Sequence, residues 1–146
     1  MTTLQGRVAL VTGAQQGIGK AIAEAVGREG ASVLIQYLDD QAAAEEVCSA
    51  VNSVGAEAQI VQGDVGIRSD CVRAFEVGQT LGGIDLLVNN AGIFPRCSFL
   101  DLSDDDWNQV QNINVVGGFR CLQMMARELI EQGRSGTAVN LSSVAF

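Results

Sequence analysis

Short apolar runs alternate along this chain with longer segments whose apolar residues recur at helical spacing. Five runs have the length of a strand, at residues 7–12, 32–37, 58–62, 84–89 and 137–141. Four intervening segments have helical periodicity, at residues 17–29, 41–54, 68–81 and 104–132. Because the runs are apolar at almost every position, they are typical of parallel strands that are buried on both faces.

This alternation predicts an α/β fold, a doubly wound parallel sheet of the Rossmann type. Helices are expected on both faces of the sheet, which makes three layers. The 146 residues are enough for a single domain, 1–146, with its own core.

The last helical segment, residues 104–132, is apolar on more than one side. Ser103 is a good N-cap for it. Val110 and Ile113 mark one stripe, and Phe119 and Leu122 belong to another. One face is expected to meet the sheet. The other face is covered either by a second subunit or by other helices of the same chain, and we predict a homo-oligomer through this helix.

Composition excludes several classes of function. The net charge is −8, and the nine basic residues form no cluster, so nucleic-acid binding is not expected. We see neither a signal peptide nor an apolar stretch long enough for a membrane span, and we expect a cytoplasmic protein. The chain has four cysteines, no CxxC pair and no histidine, which predicts buried, reduced thiols and no metal site.

A glycine-rich turn, Thr12 to Gly19, lies directly between the first strand and the first helix. Gly13 allows a tight turn, Gly17 lets the backbone approach a pyrophosphate, and Gly19 lets the helix pack close to the strand. The N–H groups at the start of the helix favour phosphate charge. We therefore predict a dinucleotide site, whose binding residues in this turn are Gly13, Gln15, Gln16, Gly17, Ile18 and Gly19.

The spacing G-x-x-x-G-x-G after Thr12 resembles the short-chain dehydrogenase/reductase family. Four further motifs follow in that family's order: Gly63-Asp64-Val65, Asn89-Asn90-Ala91-Gly92, Trp107 with Asn114, and Val139-Asn140-Leu141-Ser142-Ser143. The chain is most similar to the group that contains 3-oxoacyl-acyl carrier protein reductases and sugar or alcohol dehydrogenases. The resemblance implies hydride transfer between NAD or NADP and a small carbonyl compound or secondary alcohol.

The resemblance also implies roles for single residues. Ser143 would hold the substrate oxygen, and Asn114 would support a proton relay. The cofactor would meet Asp64, Val65, Asn90, Ala91 and Gly92. Other interpretations stay open: Asp64 as a turn residue, the asparagines as ties between strands, and Asn114 as a buried amide satisfied by its surroundings.

The choice between NAD and NADP depends on the end of the second strand. Tyr37 occupies the discriminating position and is neither acidic nor basic. Gln16 stands where NADP-dependent members often have a basic residue, and Asp39 would repel a 2′-phosphate. These residues favour NAD.

The family's acid/base motif, Tyr-x-x-x-Lys, does not occur. The only tyrosine is Tyr37 and the only lysine is Lys20, and they cannot form that pair. We expect the sequence to be an incomplete member of the family, inactive as given, in which the fifth strand is an exposed apolar edge. A naturally short, non-catalytic nucleotide-binding or interaction module is the alternative, and a Rossmann-like methyltransferase is a third.

Overall fold

The chain forms a five-stranded parallel sheet with helices on both faces, as expected. The computed structural model describes residues 3–143. The strands are β1 (Val8–Val11), β2 (Ser32–Tyr37), β3 (Ala58–Gln62), β4 (Leu86–Asn89) and β5 (Thr137–Asn140). The helices are α1 (Gly17–Arg28), α2 (Gln41–Ser53), α3 (Arg68–Thr80), α4 (Asp104–Val110) and α5 (Gly118–Glu131), with a short 3₁₀ turn at Phe99–Asp101.

The strand order is β3-β2-β1-β4-β5, which confirms the Rossmann-type topology. The winding changes direction between β1 and β4, which are paired from Ala9 opposite Leu86 to Val11 opposite Val88. In open parallel sheets, ligands bind at the carboxyl ends of the strands beside such a switch point. The turn after β1 and the asparagines at the end of β4 both lie there.

Each face of the sheet buries its own apolar core. On one face, Leu10, Leu34 and Leu87 pack with residues of α3 and α5. On the other face, Val11 and Ile35 pack with residues of α1 and α2. Because successive side chains of a strand point to opposite faces, the apolar runs supply both cores at once.

The segment that we predicted as one long helix is interrupted in its middle. Ser103 caps α4 and forms a capping box with Asp106, which confirms the predicted start. Between α4 and α5, the residues Gln111–Gly117 form a π-helical segment. Such wide turns are rare and often occur at functional sites. Asn114 lies at the centre of this segment.

The strand β5 lies at the outer end of the sheet. Among residues 3–143 it pairs only with β4. Val139 is 47% exposed and Leu141 is 37% exposed, so the apolar edge expected from the sequence is present in the described part of the chain.

Two further expectations from the sequence can be compared with the structure. Cys71 and Cys121 are buried, but Cys97 is exposed and Cys48 is only partly buried, so burial of all the thiols was wrong. Cys97 is exposed because it lies in the loop before α4, and most residues of this loop are themselves exposed. Within residues 3–143 we find no helix that is long and apolar enough to cross a membrane.

Candidate functional site

A cleft of about 440 Å³ opens at the carboxyl edge of the sheet. Most of the residues predicted to bind a dinucleotide line it, although they come from four separate segments. These are Gly13, Gln15, Gln16, Ile18, Gly19, Tyr37, Asp64, Val65, Asn90, Ala91 and Gly92. Gly17 is the one predicted residue that lies outside the wall of this cleft, at the first position of α1.

Glycine is needed at three positions of the turn, for a different structural reason at each. Gly13 and Gly17 have φ angles of 62° and 57°, which glycine adopts without strain. A Cβ atom on Gly17 would meet no described atom within 4 Å, so the backbone there faces open space. A Cβ on Gly19 would lie 2.5 Å from the Gly13 carbonyl oxygen. Gly19 therefore allows close packing against the turn itself, where the sequence suggested the strand.

Thr12 and Asn90 lock the turn onto the end of β4. The Asn90 side chain donates to the carbonyl oxygens of Thr12 at 2.8 Å and of Gly13 at 3.0 Å. The Thr12 hydroxyl accepts from the backbone N–H groups of Asn90 and Ala91, each at 3.0 Å. The Asn90 side-chain amide therefore uses its donors to hold the turn. Asn90 lines the cleft as a structural residue of its wall.

Gln15 connects the turn to the end of β2. Its Nε2 donates to Asp39 Oδ1 at 2.7 Å, and its Oε1 accepts from the Leu38 backbone N–H at 2.7 Å. Asp39 also lines the cleft. Tyr37, the residue at the predicted discriminating position, is only 6% exposed and packs in the core beneath.

The loop after β3 also lines the cleft. One Asp64 carboxylate oxygen accepts from the Gly66 N–H at 2.7 Å, which is the turn role left open by the sequence. Arg120 donates to the carbonyl oxygens of Val65 and Gly66, and Asn112 also donates to Gly66. Sequence reasoning missed Arg120 and Asn112, because their acceptors are backbone atoms that are distant in the chain.

Sequence reasoning also missed Gln36. This residue lines the cleft and is only 1% exposed. Its Nε2 donates to the Gly63 carbonyl oxygen at 3.3 Å, whereas its Oε1 has no hydrogen-bond partner within residues 3–143. The sequence signal for Gln36 was its polar side chain directly after three apolar residues of β2.

A second cavity of about 730 Å³ adjoins the first and shares Asn90, Ala91 and Gly92 with it. Both predicted catalytic residues, Ser143 and Asn114, line this cavity. Asn114 is exposed, so its predicted burial was wrong. Its amide accepts from the Ile93 N–H at 2.8 Å and donates to the Ile93 carbonyl oxygen at 2.9 Å, which ties the π-helical segment to the loop after β4.

Comparisons with known proteins agree with this geometry. The family model of short chain dehydrogenases matches residues 7–146. The uncharacterized oxidoreductase YohF of Escherichia coli is 37% identical over 139 residues, which are 94% of this chain and 55% of that protein. A 3-oxoacyl-[acyl-carrier-protein] reductase of Synechocystis is 38% identical over 152 residues, covering 99% of this chain and 59% of that protein.

Solved structures show the same fold. A short-chain type dehydrogenase/reductase from Mycobacterium marinum has a TM-score of 0.87 at 34% identity and covers 92% of this chain and 55% of its own. A short chain dehydrogenase from Burkholderia cenocepacia, in complex with NADP, has a TM-score of 0.82 at 38% identity and covers 85% of this chain and 51% of its own.

The strand order and the helices on both faces define an α/β protein of the Rossmann type. More specifically, the chain belongs to the short-chain dehydrogenase family, as the match over residues 7–146 shows. It spans little more than half the length of the curated relatives that it matches.

Proposed function

We propose that this chain supplies the dinucleotide site, and part of the substrate site, of an NAD(P)-dependent oxidoreductase acting on a small carbonyl compound or secondary alcohol. The observation that carries the proposal is the cleft at the switch point, where the glycine turn, the Asp64–Val65 loop and the Asn90–Gly92 segment converge. When bound, the nicotinamide would accept or supply the hydride.

The turn fits a pyrophosphate. No side chain caps the N-terminus of α1 in the described structure, so its N–H groups and its dipole are available to an anion. The backbone at Gly17 faces open space, which leaves room for the ligand. Gln16 and Ile18 flank this position, and neither carries a charge that would oppose phosphate binding.

Asp39 supports a preference for NAD. Gln15 holds the Asp39 carboxylate at the rim of the cleft. A carboxylate there can accept from a ribose 2′-hydroxyl and repels a 2′-phosphate. The B. cenocepacia relative is in complex with NADP. Titration of this chain with NAD and with NADP measures the preference.

The second cavity is the proposed substrate site. Ser143 would donate to, or accept from, the substrate oxygen through its hydroxyl. Asn114 would contribute indirectly, because its amide is engaged with Ile93. We propose that it positions the loop after β4 at the junction of the two cavities, and that it supports a proton relay only by holding this loop in place.

The 146 residues do not contain the tyrosine and lysine pair that serves as acid/base in this family. Tyr37, the only tyrosine, is buried below the cleft, and the only lysine, Lys20, is on α1. We therefore expect the 146-residue chain to bind NADH without oxidising it. Spectroscopic assay of NADH oxidation with assorted ketones tests this. Turnover well above background would contradict the expectation that this chain is inactive. The alternative, a non-catalytic nucleotide-binding module, also predicts binding without turnover.

A pair of glycine variants tests the nucleotide site itself. Gly17 and Gly55 both have positive φ angles, 57° and 87°, and a Cβ on either would meet no described atom within 4 Å. Gly17→Ala and Gly55→Ala should thus cost similar stability, about 1 kcal/mol. Only Gly17→Ala should weaken NADH binding, by about tenfold, in a fluorescence titration. Equal affinities in the two variants would argue against pyrophosphate binding at this turn.

A second copy of the chain is the proposed partner of the helix pair α4–α5. Val115 is 57% exposed, Phe119 54% and Leu122 38%, and these apolar side chains line the second cavity. The alternative from the sequence is cover by other helices of the same polypeptide. Light scattering of the wild-type protein and of Phe119→Lys distinguishes them: a dimer that the substitution dissociates supports the second copy, and a wild-type monomer excludes it.

A further inference from the structure

Gln15 is the residue of the glycine turn whose side chain reaches the end of β2. Its Nε2 donates to Asp39 Oδ1 at 2.7 Å, and its Oε1 accepts from the Leu38 N–H at 2.7 Å. Because one partner is an acceptor and the other is a donor, only one orientation of the amide satisfies both. Gln15 and Asp39 both line the cleft, so this contact lies at the surface that a dinucleotide would meet.

The backbone before Asp39 is held from two sides. Gln15 accepts from the Leu38 N–H, and the Leu38 carbonyl oxygen accepts from Gln62 Nε2 at 3.0 Å. Gln62 is the last residue of β3, so the two glutamines come from segments on either side of β2. With this backbone anchored, the bond from Gln15 restricts the rotation of the Asp39 side chain itself.

The neighbouring carboxylate has a different task. Asp40 is the N-cap of α2, and its side chain accepts from the Ala43 N–H at 2.9 Å. Asp40 does not line the cleft, whereas Asp39 does. Of the two consecutive aspartates, one begins a helix, and the other is exposed and held at the cleft by Gln15. Helix capping therefore does not account for the contact between Gln15 and Asp39.

This contact matters for a ligand because an exposed carboxylate otherwise samples several rotamers. Ordering a side chain when a ligand binds costs free energy, and a side chain that the protein already holds avoids that cost. A free carboxylate could also rotate away from a 2′-phosphate, which weakens the repulsion between them, and a fixed one could not. The bond from Gln15 engages Oδ1 of Asp39 and leaves Oδ2 as the second acceptor for a ribose hydroxyl.

We propose that Gln15 is a specificity-positioning residue, which sets the preference for NAD over NADP from the glycine turn by fixing the Asp39 carboxylate. This inference rests on the proposed dinucleotide function and on the preference proposed for Asp39. It assigns the discrimination to the pair of residues. Removal of the Gln15 amide should therefore change the ratio of NAD to NADP affinity while Asp39 is still in place.

Calorimetric titration of the full chain with NAD and with NADP measures that ratio. Gln15→Met keeps the length of the side chain and removes both hydrogen bonds. It should lower the ratio of NAD to NADP affinity about fivefold. A purely structural role of Gln15 would weaken the binding of both cofactors alike and leave the ratio unchanged. Gln15→Ser, whose hydroxyl is too short to reach Asp39, should lower the ratio by a similar factor and provides the same test if the methionine variant does not fold.

A double-mutant cycle tests whether Gln15 acts through Asp39. In the Asp39→Ala background, Gln15→Met should change the ratio by less than about twofold, because no carboxylate is left to position. Gln41→Met is the matched control. Gln41 is an exposed residue at the start of α2, and its Nε2 donates to Glu45 on the same helix. This variant should keep the wild-type ratio.

The outcomes separate this inference from the proposals on which it rests. If the wild-type chain binds neither cofactor, the dinucleotide function fails, and the inference fails with it. If the wild type binds NAD and NADP equally, the dinucleotide function stands, and the roles of Asp39 and Gln15 in specificity both fail. If the wild type prefers NAD and both Gln15 variants keep that preference, the inference about Gln15 fails alone. It is also overturned if Gln15→Met lowers the ratio equally with and without the Asp39 carboxylate.

Discussion

The two edges of the same sheet use polar residues in opposite ways. At the amino edge, Asp85 Oδ1 accepts from the Val8 N–H at 2.9 Å, while Oδ2 lies 2.9 Å from Arg7 Nε and 3.4 Å from Arg134. The Asp85 side chain is only 9% exposed, and its charge is neutralised within the protein. At the carboxyl edge, within residues 3–143, the start of α1 has no side-chain cap and Gln36 Oε1 accepts no hydrogen bond.

The charges at the amino edge are paired within the protein, whereas within residues 3–143 no side chain satisfies the start of α1, which belongs to the proposed nucleotide site. The Asp85 cluster joins the starts of β1 and β4 to the loop before β5, and within residues 3–143 one of its buried nitrogens, Arg7 Nε, lies 2.9 Å from Asp85 Oδ2 without forming a well-directed hydrogen bond. The carboxyl edge also contains paired groups, since Thr12 and Asn90 hydrogen-bond each other and Gln36 Nε2 donates to the Gly63 carbonyl oxygen. Substitutions at the two edges should therefore differ in whether stability, binding or both are affected.

The largest effect is expected from Asp85→Ala at the amino edge. It would leave two arginines and the Val8 N–H without their acceptor, at a cost of about 3 kcal/mol in the free energy of unfolding. NADH affinity of the folded fraction should not change. Urea unfolding and a fluorescence titration measure the two quantities, with Asp101→Ala, an exposed residue of the 3₁₀ turn, as the control. A loss of affinity in folded Asp85→Ala would show that the two edges are coupled.

Thr12→Val should affect stability and binding together. Valine removes the hydroxyl that accepts from the N–H groups of Asn90 and Ala91, at a residue that is 1% exposed. We expect a loss of about 2 kcal/mol in the free energy of unfolding, because buried donors are left unpaired. We also expect weaker NADH binding, because the turn is released from β4. If binding persisted unchanged, the Thr12–Asn90 lock would be a purely structural feature.

Asp39→Ser should affect binding alone. The Asp39 carboxylate is exposed and its described partner is Gln15, so stability should change by less than about 0.5 kcal/mol. The ratio of NAD to NADP affinity should fall by about tenfold, because the repulsion of a 2′-phosphate is removed. Competition titrations with both cofactors measure this ratio, and Asp40→Ser on the neighbouring residue is the control. An unchanged ratio would mean that Asp39 does not reach the ribose.

The smallest effect is expected from Arg134→Met. Its side chain is 35% exposed and lies 3.4 Å from Asp85, so solvent weakens the ion pair. We expect a loss of about 1 kcal/mol or less in the free energy of unfolding, most of it from the hydrogen bonds to the Gly82 and Gly83 carbonyl oxygens. Nucleotide affinity should not change. A loss as large as that of Asp85→Ala would show that Arg134, and not Arg7, is the principal partner of the carboxylate.

Local patterns of apolar and polar residues in the sequence determined much of the fold. All five strands and the helices were predictable, because apolar periodicity depends on neighbouring residues alone. The glycine turn was predictable for the same reason, since a strand, a turn and a helix follow each other without interruption. The π-helical interruption at Gln111–Gly117 was not, because its apolar periodicity differs too little from that of an α-helix.

The tertiary structure alone decided which hydrogen-bond partners each polar side chain has, because those partners are distant in the sequence. The sequence by itself determined the family pattern, the order of the elements and most of the residues that line the cleft. Only the fold showed that Asn90 holds the turn, that Gln15 holds Asp39, that Arg120 supports the loop after β3, and that Gln36 is left with an unpaired oxygen. Whether a polar side chain is satisfied depends on atoms that other segments bring to it, and no local pattern records those atoms.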